Sequence, residues 1–137
     1  MAEIHNLMIA DANNTARWPS GTMTVEQIDD AGRALEGILA RAEKDRNGSN
    51  TTTGDGAAYA LTLNQSGITA VANGGVLIVR AHVANTGAAT ININALGAKN
   101  IRKMGDAALV VGDILQNDII MLVYNPARDN FQLMGVA

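Results

Sequence analysis

Asn85-Thr86-Gly87-Ala88-Ala89-Thr90-Ile91-Asn92-Ile93-Asn94 joins a turn signal to a strict apolar–polar alternation. Period two places Ile91 and Ile93 on one face of a strand and Asn92 and Asn94 on the other, the pattern of a strand with one buried face. The same cadence extends in both directions. Tyr59, Leu61 and Leu63 alternate upstream, as do Leu77, Val79, Ala81 and Val83. Short aliphatic runs are punctuated by Gly, Asn and Asp at intervals of roughly ten residues, which is an all-β rhythm. Gly54-Asp55-Gly56, Asn73-Gly74-Gly75, Asn85-Thr86-Gly87, Met104-Gly105-Asp106 and Asn125-Pro126-Ala127-Arg128-Asp129 read as turns. The last joins a terminal hairpin, Ile119 to Tyr124 with Phe131 to Met134. Residues 48–137 are therefore expected to form an all-β module, a short antiparallel β-sandwich or a barrel-like closure.

Upstream of the module the period changes. Thr24-Val25-Glu26-Gln27 fits a capping box, in which the Thr24 hydroxyl caps the Gln27 amide and the Gln27 side chain reaches back. Apolar or small residues then recur at Val25, Ile28, Gly32, Leu35, Leu39 and Ala42, with Ala31 and Ile38 widening the stripe. Alternating spacings of three and four give one amphipathic α-helix over residues 23–47 with a heptad-like seam. Asp29 and Arg33 stand one turn apart on its polar side, Lys44 and Arg46 lie near its C-terminal pole, and Asn47-Gly48 supplies the stop. Residues 1–22 lack such periodicity and read as an extended arm, with Pro19 biasing Trp18 towards extended geometry before the Ser20-Gly21 turn.

The chain of 137 residues suits one compact domain with an appendage. Hydrophobic residues make up 47% and aromatic residues 3%, so the core must be built mainly from Ala, Val, Ile and Leu. A net charge of −3 leaves no basic excess for phosphates, and nucleic acid is not expected as a partner. Zero cysteines exclude disulfides and thiolate chemistry. The N-terminus lacks a basic, then apolar, leader, and no run approaches the roughly 18 apolar residues that span a membrane. The expectation is a soluble chain without membrane insertion.

The residues that could carry chemistry do not assemble into a site. Ser20, Ser49 and Ser66 stand outside any Gly-x-Ser-x-Gly elbow, and His5 and His82 fall in different segments. Asp29 and Asp30 are adjacent on a helix and so point about 100° apart, unable to flank one substrate atom. Asp45-Arg46-Asn47-Gly48 and Gly54-Asp55-Gly56 resemble fragments of calcium loops without the remaining oxygens and read as turns. The Gly54–Tyr59 run lacks the third glycine of a dinucleotide fingerprint. His82 reads as an exposed or satisfied strand residue, and Lys99, Arg102 and Lys103 as a charged strand edge that discourages aggregation. No catalytic residue, cofactor or metal is expected.

One resemblance spans most of the chain. Asn47-Gly48-Ser49-Asn50-Thr51-Thr52-Thr53-Gly54, the Asn85–Asn94 run, Gly97-Ala98-Lys99-Asn100-Ile101-Arg102-Lys103, Gly112-Asp113, Leu122-Val123-Tyr124 and Phe131-Gln132-Leu133 resemble the modules of tailed-bacteriophage virion fibres, including those of prophages and gene-transfer-agent-like particles. Asn13-Asn14-Thr15-Ala16-Arg17-Trp18-Pro19 and Asp29-Asp30-Ala31-Gly32-Arg33-Ala34-Leu35 are similar to the front of such fibres. Where the family often carries an aromatic residue before the Asn-Gly-Ser junction, this chain has Arg41-Ala42-Glu43-Lys44-Asp45. The resemblance implies a homotrimeric virion appendage, its arm and helix at the virion-proximal end.

Together these readings predict a structural virion protein, a short trimeric fibre or fibre adaptor of tail, collar or head. Val25, Ile28, Leu35 and Leu39 are expected at the trimer interface. Ile4, Leu7, Ile9 and Trp18 are expected to dock residues 1–22 on another virion protein of the portal or neck, capsid or tail tip. The alternative is a host-receptor module reading a surface glycan, for which the Asn and Gln residues supply hydrogen bonds but Tyr59, Tyr124 and Phe131 are the module's few aromatic rings.

Overall fold

The computed structural model describes residues 23–65, 67–71 and 75–137. Among these residues the fold is mainly β with one α-helix. Helix α1 spans Val25–Lys44 and opens on the expected box: the Thr24 side chain accepts from Gln27 N–H, and the Gln27 side chain accepts from Thr24 N–H at 2.9 Å. Arg33 pairs with Asp29 across one turn. The helix ends at Lys44 with Asp45 as its C-cap, short of the expected stop at Asn47-Gly48; Gly48, at φ 79°, turns the chain three residues later, where its N–H donates to Ile78 O.

Seven strands follow: β1 (Thr53–Gly54), β2 (Ala58–Leu61), β3 (Val76–Arg80), β4 (Ala89–Ile93), β5 (Ala98–Arg102), β6 (Ile119–Asn125) and β7 (Asn130–Leu133). They form a single curled sheet, a half-barrel, in the order β1-β2-β4-β5-β7-β6-β3. The expected antiparallel arrangement is corrected to a mixed sheet, because β2 pairs with β4 and β5 with β7 in parallel. No second sheet faces the first among the described residues, so the closure is of the barrel-like kind rather than a sandwich. Curling lets one sheet's inner face bury itself: Tyr59, Leu61, Val79, Ile91, Ile93, Ile101, Leu122, Phe131 and Leu133 are all buried in one core.

The run that leaves the helix draws the two sheet edges together. Asp45 O accepts from Ile78 N–H, Gly48 N–H donates to Ile78 O, Asn50 O accepts from Arg80 N–H, and Thr52 N–H donates to Arg80 O at 2.9 Å. One residue later Thr53 and Gly54 pair with Ala60 and Tyr59 on β2. Residues 45–54 thus hydrogen-bond along the outer edge of β3 and then join the opposite edge of the sheet. Two glycines permit the close passage. A Cβ on Gly54 would lie 2.3 Å from Ala58 O, and one on Gly56 would lie 2.3 Å from Ala84 O.

Two local expectations change and one turn is added. The terminal hairpin forms as read, with Leu122 opposite Leu133 and Tyr124 opposite Phe131. Strand β5, however, lies inside the sheet between β4 and β7, so Lys99, Arg102 and Lys103 do not form a strand edge. Their charges are accommodated locally instead: Lys99 meets Asp129 at 2.7 Å and Lys103 meets Asp113 at 3.0 Å. The alternation from Leu77 to Val83 outlasts its strand, which ends at Arg80. Asn94 and Ala95, both with positive φ, make an additional tight turn closed by Leu96 N–H to Ile93 O. The Asn73-Gly74 part of one expected turn lies outside the described residues.

Candidate functional site

Helix α1 carries the expected interface residues, and its two apolar flanks have different fates. Ile38 and Ala42 are buried within the chain. Val25 is 84% exposed, Ile28 50% and Leu39 51%, while Leu35 is half-buried. The seam through Val25, Ile28, Leu35 and Leu39 therefore stands largely open on a single chain. Such a stripe of aliphatic side chains is costly to leave in water and inexpensive to cover with a matching stripe. Ile4, Leu7, Ile9 and Trp18 lie outside the described residues.

The helix is tied to the sheet by Asp45, which local sequence places in the Asp45–Gly48 turn. Asp45 caps α1 and is wholly buried. An acid at the negative pole of a helix is disfavoured, and burial adds a desolvation cost. Donors offset both. Asp45 Oδ1 accepts from Asn64 N at 2.7 Å, Asn64 Nδ2 at 2.9 Å and Asn50 Nδ2 at 3.4 Å, and Oδ2 accepts from Gln65 N at 3.2 Å and Gln65 Nε2 at 3.4 Å. The available signal was an acid placed where the helix dipole resists it, followed by Asn-rich sequence. Beside this cluster lies a cavity of about 80 Å³, mostly apolar, lined by Leu63, Gln65, Val71, Val76 and Leu77 among others.

His82 is a satisfied side chain just after β3, as its neighbours suggested. Gly54 O can only accept, so Nε2, 3.0 Å away, carries a proton. Thr52 Oγ1 accepts from His82 N–H at 3.1 Å and lies within hydrogen-bond distance of Nδ1, at 2.9 Å. These contacts turn the imidazole into a clip across the edge-joining run. Its ring also meets Tyr59 edge to face, with centroids 6.0 Å apart.

Asn85, likewise buried, organises the loop before β6. Its Nδ2 donates to Gly87 O and Val110 O, and its Oδ1 accepts from Gly112 N and Ile114 N. Asp55 is an Asx turn: Oδ1 accepts from Ala57 N at 2.8 Å and Ala58 N at 2.9 Å, and these bonds hold its carboxyl below the usual range. Of the module's aromatic rings, Tyr59 and Phe131 are buried, and the Tyr124 hydroxyl donates to Asp129 Oδ1 at 2.6 Å. Among the described residues no cluster of three or more His, Asp or Glu could hold a metal ion, and no helix is long and apolar enough to cross a membrane.

Neither a model of a known protein family nor a curated protein matches this sequence.

Proposed function

We propose that this chain is a homotrimeric structural component of a tailed-bacteriophage-like virion, a short fibre or fibre adaptor of tail, collar or head, without catalytic turnover. Residues 1–22 anchor it to another virion protein, residues 23–47 trimerise it, and residues 48–137 form the fibre module. The observation that carries the assembly reading is the open seam of α1, whose Val25, Ile28 and Leu39 are at least half exposed in one chain. Parallel packing of three copies covers the seam on each. The virion setting rests on the resemblance of the Asn-Gly-Ser junction and the Asn85–Asn94 run to fibre modules. The glycan reading has weaker support, because carbohydrate sites present open aromatic faces and this module keeps Tyr59 and Phe131 in its core.

Light scattering on the full chain at micromolar concentration is expected to give three times the chain mass of 14.3 kDa, and Leu35→Asp to lower it. A wild-type mass of one chain overturns the trimer. For the anchor, deletion of residues 1–22 is expected to leave a folded trimer that no longer enters particles; incorporation equal to that of the full chain overturns the docking role.

A further inference from the structure

Two Asn-Gly pairs occur in the sequence, Asn47-Gly48 and Asn73-Gly74. Glycine after asparagine leaves the backbone amide unhindered by a Cβ, so once that amide has lost its proton its nitrogen can attack the neighbouring side-chain carbonyl. Asn47 is exposed, and its Oδ1 accepts from Ser49 N–H at 3.0 Å. This donor polarises the carbonyl and stands ready for the negative charge that develops on Oδ1 during attack. The electrophile is thus prepared, in water, at the join between helix and module.

The nucleophile is withheld. Gly48 N–H donates to Ile78 O at 3.0 Å, one rung of the series that lays residues 45–52 along the edge of β3. Ile78 N–H donates to Asp45 O at 3.3 Å on one side of it, and on the other Arg80 N–H donates to Asn50 O at 2.8 Å and Thr52 N–H to Arg80 O at 2.9 Å. A proton held in such a bond stays on its nitrogen until the bond opens. Nor can this rung open easily, because the strip is pinned at both ends by buried side chains, Asp45 at 0% and Thr52 at 1% exposure. Freeing Gly48 means lifting the strip between those two anchors.

We infer that Asn47-Gly48 is a self-modification site gated by the β3 edge, silent while residues 45–52 lie on β3 and reactive when they part from it. The step needs only water. Gly48 N, its proton lost to solvent base, bonds to Asn47 Cγ; the Cγ–Nδ2 bond breaks and Nδ2 leaves as ammonia, giving a succinimide. Water then opens the ring at Cγ to give aspartate, or at the backbone carbonyl to give isoaspartate. Either product adds a negative charge just beyond the C-terminal pole of α1, where the helix dipole disfavours it. Isoaspartate also routes the backbone through Cβ, so the strip loses its register on β3 and the edge does not reclose as before. The inference is independent of the virion and trimer readings.

The test uses the full chain at about pH 8 and about 37 °C, native and unfolded in urea, with conversion at Asn47 and Asn73 followed by peptide mass mapping and exchange of the native Gly48 amide followed by NMR. In urea the two Asn-Gly pairs are expected to convert at similar rates. In the native protein Asn47 is expected to convert at least about tenfold more slowly than in urea, and the Gly48 amide to be protected from exchange by a similar factor, since both reactions begin with loss of the same proton. Equal Asn47 rates in native and unfolded protein overturn the gate. Conversion of Asn47 in urea far slower than that of Asn73 overturns the reactivity of the pair. Slow native conversion beside a freely exchanging Gly48 amide removes the Ile78 hydrogen bond as its cause and overturns the inference.

Discussion

Asp45 concentrates two unfavourable settings in one side chain, the negative end of a helix and a solvent-free site, and holds them with donors from Asn50, Asn64 and Gln65. The carboxylate is therefore a positioning device. It fixes the direction in which α1 leaves the module by binding the helix end to the segment after β2. Replacing it removes the acceptor but leaves the N–H groups of the buried Gln65 in place, and unpaired buried donors carry most of the penalty. Asp45→Ala is expected to lower the unfolding free energy by about 3 kcal/mol, read from urea denaturation at fixed protein concentration. A loss below about 1 kcal/mol would show that water takes over the donors without strain.

At the level of elements, the loop between β5 and β6 is ordered by side chains rather than by a ladder. Asn85 binds it from within, and Asp113 closes it from outside by accepting from Val110 N at 2.7 Å and from Lys103 Nζ at 3.0 Å. The Val110 N–H, then Lys103, hold the Asp113 carboxyl below the usual carboxylate range. Asp129 is lowered likewise by Lys99 and Tyr124, and Asp55 by its turn amides. A group with a lower pKa folded than unfolded binds more protons when unfolded, so stability rises with pH through that window. The contribution is complete above the ordinary carboxylate value of about 4 and is lost as pH falls through the folded values. Urea midpoints measured from about pH 2 to about pH 7 should fall only at the acid end, and Asp113→Asn should flatten that fall. An unchanged slope in the variant removes Asp113 from the account.

For the whole molecule, the open α1 seam has a thermodynamic consequence. If native chains are joined through the α1 seam, as proposed above, unfolding releases three chains and association is part of stability. The thermal midpoint should then rise with protein concentration, by several degrees per hundredfold, in differential scanning calorimetry. A midpoint independent of concentration is the behaviour of a chain that folds alone. The inner core is small in aromatic content, with Tyr59 and Phe131 as its large rings, so the expected share of stability from association is substantial.

What could be read from residues alone was whatever depends on near neighbours in the chain. The Thr24–Gln27 capping box, the 119–134 hairpin and the inward Ile91 and Ile93 follow from short-range hydrogen bonding and from the periods of helix and strand. Partner choice between distant strands does not. Alternation is the same for a strand paired in parallel or antiparallel, at an edge or in the interior, so the mixed order and the interior place of β5 were decided by the closing of one curled sheet. The turn at Asn94-Ala95 escaped notice because alanine is not a turn residue, and its positive φ is imposed by the flanking pair of strands. The same holds for Asp45, His82 and Asn85. Each side chain has partners in segments 19 to 30 residues away, and only the fold brings those within hydrogen-bond reach.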